Sequence, residues 1–307
     1  MIACVAPSPS IDRVFEVARL RRGEIHRPTR FVRVPGGKGL NAARAAAALG
    51  ADVRAIALLG GHAGRWIAEE LARIGLPLVA SWCEGETRSC LSVADAGSLT
   101  EFYEENAAVS AAEWEAFARR AQDAVASPGW TTISGSLPPG APSDGYEKLI
   151  AESSNVAVDT TALGTARPVL VKVNASEAGA LTERDVDSGV AAVEAAHALR
   201  LRIGGDGHAA AVTLGRDGAV LVEPDGSSWH GSLVAGGRYP VGSGDAFLAG
   251  LVSALDSGND WPEALAAALG AAAANAEVPG PGLLDAARAR GLAEQAVVEP
   301  IAAVRAR

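Results

Sequence analysis

Pro240-Val241-Gly242-Ser243-Gly244-Asp245-Ala246-Phe247-Leu248-Ala249-Gly250 sets small, flexible residues ahead of an apolar run of helical character. Gly242, Ser243 and Gly244 let the backbone bend so that several N–H groups point one way. The start of the following helix adds free N–H groups and the positive end of its dipole. Such a turn is a pocket for an anion, typically phosphate. Asp245 stands at its mouth. Bound phosphate repels a carboxylate, so anion binding alone gives Asp245 no role. A base beside a transferable phosphoryl group accounts for both features. On this segment alone a second reading stays open, a glycine turn whose Asp caps a core helix by accepting N–H bonds.

A second glycine cluster, Pro35-Gly36-Gly37-Lys38-Gly39-Leu40-Asn41-Ala42-Ala43-Arg44, runs into a strong helix former run that Gly50 is placed to stop. Lys38 and Asn41 leave the glycines where they can reach a ligand lying on the turn. No Walker A pattern, Gly-x-x-x-x-Gly-Lys-Ser/Thr, occurs anywhere in the chain. Nucleoside triphosphate, if handled here, is handled by another design.

The two segments resemble the two signatures of the PfkB carbohydrate kinases, within the ribokinase-like superfamily. Between them lie Ser134-Gly135-Ser136-Leu137-Pro138-Pro139-Gly140, Lys172-Val173-Asn174-Ala175-Ser176-Glu177 and Val212-Thr213-Leu214-Gly215-Arg216-Asp217-Gly218, and near the start is Pro9-Ser10-Ile11-Asp12-Arg13. These stand in the family's order and cover nearly the whole chain. The Gly-Gly-Lys-Gly and Ser-Gly-Ser-Leu-Pro-Pro-Gly forms are closest to the 1-phosphofructokinase and tagatose-6-phosphate kinase branch.

Composition suits a cytoplasmic enzyme. With 307 residues the chain can bury a large core. Alanine dominates its apolar residues, and no apolar run reaches membrane-spanning length. The first residues, Met1-Ile2-Ala3-Cys4-Val5-Ala6, lack a basic stretch and read as a strand, not a signal peptide. Cys4, Cys83 and Cys90 are odd in number and lack metal spacing, as expected of reduced thiols. A net charge of −9 argues against a nucleic-acid partner, and no membrane association is expected.

Short β-rich segments at 3–6, 53–58, 131–134, 156–159, 169–173 and 210–214 alternate with helical runs at 64–74, 111–126, 189–200 and 261–276. A hairpin is expected across Gly215 to 219–222. Alternation of this kind predicts a mostly parallel sheet with helices on both faces. Ligands in such folds bind beyond the carboxyl ends of the strands, which the named motifs follow. Residues 14–34 and 88–103 break the pattern with polar alternation. By resemblance they form a small β-sheet lid, with strands from about 13–34 and 88–104. Extra edge strands of the main sheet would fit the sequence as well. The expectation is α/β, a ribokinase-like three-layer α/β/α sandwich with that lid, formed by residues 1–307 as one domain.

The resemblance implies roles. Asp245 is the catalytic base, and the amides of Gly242, Ser243 and Gly244 hold the charge on the transferring group. Asp12, Gly37 and Asn41 meet sugar hydroxyls, and Ser134 lies on the strand end nearest the substrate. Lys38 and Arg88 hold the phosphate of a phosphosugar. Lys172, Asn174 and Glu177 serve the ATP phosphates and Mg2+, Asn174 and Glu177 through water. Thr213, Gly215 and Asn275 fall near the nucleotide base and ribose. Read without the family, Asp12 is also a turn residue beyond a strand, Asn41 a helix cap, Lys38 and Arg88 solvated cations, and Asn275 a surface residue. The resemblance further implies a homodimer through the lid, with Phe31, Val32, Val34, Leu91 and Val93 on strands too few to bury both faces.

The chain departs from the family at three places. Tyr239-Pro240 stand where Asn or Asp followed by Thr is usual, and Pro240 removes an N–H. Ser8 replaces an Asn. Residues 100–105, Thr-Glu-Phe-Tyr-Glu-Glu, carry no second arginine. The last departure keeps kinases of a neutral hexose or nucleoside open beside kinases of fructose 1-phosphate, fructose 6-phosphate or tagatose 6-phosphate. A silent sugar or nucleotide sensor is the alternative of another class; an intact Asp245 argues against it.

Overall fold

The computed structural model describes residues 1–125, 129–151, 153 and 155–302. The strands in chain order are β1 (Ile2–Ala6), β2 (Ser10–Glu16), β3 (Arg30–Gly36), β4 (Val53–Gly60), β5 (Leu78–Cys83), β6 (Ser89–Ala94), β7 (Leu99–Tyr103), β8 (Trp130–Ser134), β9 (Asn155–Asp159), β10 (Leu170–Asn174), β11 (Ala209–Thr213), β12 (Ala219–Val222), β13 (Ser228–Ser232) and β14 (Val297–Pro300). The helices are α1 (Lys38–Ala48), α2 (Gly61–Arg73), α3 (Ala111–Val125), α4 (Gly145–Ala151), α5 (Ala175–Thr182), α6 (Gly189–Ile203), α7 (Ser243–Asp256), α8 (Trp261–Ala276) and α9 (Ala286–Ala293).

Ten strands form the main sheet in the order β14-β13-β12-β11-β10-β9-β8-β1-β4-β5. From β11 to β5 every pairing is parallel; β12, β13 and β14 are added antiparallel. Along β1 the strand period of two sends Ala3 and Val5 to one core and Ile2, Cys4 and Ala6 to the other. The first core takes Trp114 and Phe117 of α3, Leu149 of α4 and Leu199 of α6. The second takes Leu40 of α1, Leu71 of α2, Phe247 and Leu251 of α7 and Leu265 of α8. The result is a three-layer α/β/α sandwich. Buried alanines on α1, α7 and α8 bring those helices close together.

The predicted strands of the main sheet all form, each within a residue or two of its expected ends, and 219–222 makes the antiparallel hairpin with β11. The helix expected over 111–126 runs Ala111–Val125, residue 126 lying outside the described residues. The breaks in alternation form a separate sheet, order β3-β2-β6-β7, and not extra edges of the main one. Its pairings are antiparallel except β2 with β6. Register places Ser10, Asp12 and Val14 on the same face as Arg88, Cys90, Ser92, Glu101 and Tyr103. That face looks into the cleft described below. Val32 and Val34 stand on it too, in register with Val14 and Asp12. Val34 is buried, as is Val93 on the other face, so neither stays open as the expected apolar patch required. Phe31 and Phe102, on the outer face, remain 66% and 57% exposed.

Candidate active site

A cleft of about 700 Å3 lies between the four-stranded sheet and the carboxyl ends of the main-sheet strands. α7 aims its N-terminus into it. Gly242, the N-cap, has φ 80° and ψ −2°, a left-handed conformation that suits glycine. Its α-carbon packs against Pro281, whose Cβ would lie 2.4 Å from a Cβ placed on Gly242. Asp245 makes no capping bond; its Oδ2 accepts from Asn41 Nδ2 at 2.9 Å. The helix-cap reading of this carboxylate does not hold. Burial, and then the nearby Asp159 charge, push Asp245 up to about 7.

Of the three amides expected to form the anion hole, Ser243 N–H already donates to Pro240 O at 3.0 Å. Gly242, Gly244 and Asp245 N–H have no acceptor among the described residues. The cause is local: the tight turn that exposes its neighbours closes on Ser243.

On the sugar side, Asp12 sits mid-strand in β2, not in a turn, and is almost wholly buried. Ser10 Oγ donates to it at 2.5 Å, and Gly37 N–H and Asn41 Nδ2 each reach it at 3.4 Å. Gly36, diagonal to Asp12 on β3, is a glycine because a Cβ there would fall 2.1 Å from the Asp12 carboxyl carbon. Burial pushes Asp12 up against the Ser10 bond and the Arg44 charge. Asn41, inside α1, spends its amide on both carboxylates and caps nothing. Arg88 lines the cleft, with Nη1 donating to Glu104 O at 3.3 Å and Nε buried without a partner. Ser134 is buried with an unpartnered Oγ and stands behind the wall; Gly135 and Ser136, next in the chain, line the cleft instead.

Lys38 is neither a solvated cation nor a free phosphate ligand. Its Nζ donates to Asp159 Oδ1 at 2.8 Å and Glu177 Oε1 at 2.7 Å. Burial alone would lower it; the two carboxylates overcome that and hold it above the usual lysine range. Lys172 Nζ donates to the other oxygen of Asp159 at 2.6 Å and lies under the anion turn, 2.9 Å from a Cβ placed on Gly244. Asp159 would be raised by burial, but Lys172 and Lys38 hold it below the usual range. Sequence reading missed Asp159, although it ends β9 at the carboxyl edge where ligands bind. A lone Asp after a strand carries no motif.

Asn174 caps α5, its Oδ1 accepting from Glu177 N–H at 2.9 Å, while Glu177 Oε2 accepts from Asn174 N–H at 3.0 Å. Among the described residues no three His, Cys, Asp or Glu side chains gather closely enough to hold a metal directly. A donor pair so engaged fits a hydrated Mg2+, met through its waters and through substrate phosphates. Thr213 and Gly215 line the same end of the cleft. Asn275 does not. It is fully buried beneath the turn, its Nδ2 donating to Val241 O at 2.9 Å and its Oδ1 accepting from Gly282 N–H at 2.8 Å. Neither the nucleotide contact nor the surface position fits an amide spent at both ends on bracing the turn.

Residues 1–287 match the model of the pfkB family carbohydrate kinases. A 1-phosphofructokinase of Haloferax volcanii is 33% identical over 271 residues, covering 86% of this chain and 87% of that protein. Among solved structures, Escherichia coli phosphofructokinase-2 in complex with potassium superposes with a TM-score of 0.86 at 24% identity, over 96% of this chain and 98% of its own. Arabidopsis thaliana ribokinase complexed with ribose and ATP gives 0.71 at 20%, over 95% and 98%.

Proposed function

Because this chain belongs to the pfkB family of carbohydrate kinases, we propose that it transfers the γ-phosphoryl group of ATP to a hydroxyl of a phosphosugar, with Asp245 as general base. One observation carries the reading. Asp245 is a buried carboxylate raised to about 7, at the mouth of a turn with free N–H groups. That is the proton affinity a base needs near neutral pH.

Asp12 holds a sugar hydroxyl, with Asn41 bridging its carboxylate to that of Asp245, and Arg88 takes the sugar's own phosphate. Asp245 accepts the hydroxyl proton as that oxygen bonds to the γ-phosphorus and the bond to the ADP oxygen breaks. The free amides of Gly242 and Gly244 meet the charge on the transferring group, with Lys172 beneath them. Lys38, held on the Asp159–Glu177 side, serves that same phosphoryl group and not the distal sugar phosphate. Asn174 and Glu177 would hold Mg2+ through its waters, and the ion would supply positive charge to offset that of the triphosphate. Thr213 and Gly215 line the end of the cleft that would take the nucleotide. The four-stranded sheet closes over the sugar and keeps out water that would otherwise accept the phosphoryl group. We also read the enzyme as a cytoplasmic homodimer joined by the outer face of that sheet.

A neutral sugar is the second reading. It is favoured by Glu101, a carboxylate that lines the cleft and would repel a sugar phosphate, on a segment, residues 100–105, without an arginine. ADP release with ATP and Mg2+ decides between the readings over fructose 1-phosphate, fructose 6-phosphate, tagatose 6-phosphate, free hexoses and nucleosides. A phosphosugar should show the highest kcat/KM. A free hexose or nucleoside that exceeded it would replace the first reading with the second, and no turnover with any acceptor would favour a sensor.

A further inference from the structure

Arg44 is buried to 4% exposure on α1, one turn beyond Asn41. Its Nη2 donates to Asn41 Oδ1 at 3.0 Å and to Pro281 O. Nε and Nη1 have no partner, and no carboxylate among the described residues lies within ion-pair distance. A guanidinium buried so poorly satisfied costs stability that a Leu or Met of similar size would not. Packing therefore does not explain it. Its contacts do. An amide offers an oxygen acceptor at one end and an NH2 donor at the other, and Arg offers donors only. With Arg44 on Oδ1, the Asn41 NH2 must face Asp245 and Asp12. A flipped amide would set oxygen against carboxylate and NH2 against guanidinium. The second bond, to Pro281 O, ties the same guanidinium to the loop on which Gly242 packs.

We propose that Arg44 is a positioning residue for phosphoryl transfer, fixing the Asn41 amide toward Asp245 and Asp12 and locking that amide to the loop behind the anion turn. This inference rests on Asp245 being the base. The charged groups around Asp245 are Asp12 from β2, on the same Asn41 amide nitrogen, Lys38 and Arg44 from α1, Asp159 from β9 and Lys172 from β10; Asn275 of α8 is neutral.

The test compares Arg44→Gln and Arg44→Lys with wild type, each shown to be folded by circular dichroism and melting. Gln removes the charge and lets the Asn41 amide turn. It should lower kcat about ten- to hundredfold, the range for a hydrogen bond to a charged group. The KM for ATP should stay within about twofold, since the triphosphate is not touched. The acid limb of the kcat–pH profile should move to higher pH, because losing a nearby positive charge and a donor both disfavour the carboxylate. Lys keeps the charge but reaches only one of the two oxygens, so kcat should fall by less, about three- to tenfold. A Gln variant with wild-type kcat and an unmoved limb overturns the proposal. If Gln does not fold, a Lys variant with wild-type kcat and limb overturns it equally. An Asp245→Asn control separates the two ideas. If that variant stays active, the base assignment fails. If it is dead while the Arg44 variants match wild type, only the role of Arg44 fails.

Discussion

Asp245 is under opposed demands. Catalysis needs it ionised, while burial favours its neutral form. Two outcomes follow from the sign of that shift. Activity should be lost as pH falls through about 7, which a kcat/KM–pH profile will show as an acid limb. A group raised in the folded state lends stability at low pH and withdraws it as pH rises from about 4 to about 7. Asp245→Asn, a neutral isostere, should therefore lower kcat by about 10²–10⁴-fold while keeping ATP binding by calorimetry. It should also melt higher than wild type, by a margin that widens with pH across that window. A variant that melted lower at pH 8 would contradict the burial argument. Lys38 gives the second residue-scale prediction. Because its ammonium is held by Asp159 and Glu177, Lys38→Met should act mainly on kcat, by about ten- to hundredfold, and little on the KM of a phosphosugar. Steady-state kinetics with both substrates varied will tell; a change confined to the sugar KM would return Lys38 to the sugar phosphate.

At the scale of elements, the four-stranded sheet is tied to the anion turn through Tyr239. Its ring packs on Val14 of β2, Ala94 of β6 and Leu99 of β7, and its hydroxyl donates to Glu16 Oε1 at 2.7 Å. Its N–H donates to the end of α8, at Ala276 O, 3.0 Å away. Where the family has a small polar pair, this chain has an aromatic strut. Tyr239→Phe removes the hydroxyl and leaves the ring, so stability should fall by only about 1–2 kcal/mol in urea unfolding. The sugar KM should rise several-fold while the KM for ATP holds; a larger effect on ATP would mean that the strut serves the turn alone. Several elements were not read from the sequence, for reasons of the same scale. β13 (Ser-Trp-His-Gly-Ser) and β14 pair antiparallel at the sheet's edge, without the two buried faces that make the central strands read as apolar runs. α5 has only eight residues, and its Asn-x-x-Glu capping box has the same residue types as a ligand-binding motif.

For the whole molecule, the outer face of the four-stranded sheet is the surface on which two copies would meet. Phe15 and Phe31 meet edge to face there, centroids 6.3 Å apart, with Phe102 exposed two strands beyond Phe15. A sheet of four strands with one face in the cleft leaves these aromatics for a second copy. Light scattering should give a dimer, and Phe31→Asp with Phe102→Asp should give a folded monomer. A wild-type monomer at working concentration would remove the dimer. No helix among the described residues is long and apolar enough to cross a membrane.

Local periodicity and glycine placement were enough to determine the alternating strands and helices, the mostly parallel sheet they imply and the turn that presents Asp245, because each depends on residues near one another in the chain. Which groups meet across the cleft was decided only by the tertiary structure. Lys38 and Asp159 are 121 residues apart, and Asn41 and Asp245 are 204 apart. Their pairing follows from the register of β9 and β10 and the packing of α1 on α7, which no local pattern encodes. The same packing buried Asn275 of α8 under the turn and Arg44 of α1 behind Asn41, so that one side chain expected at the nucleotide and one given no role by the sequence became the supports of the site.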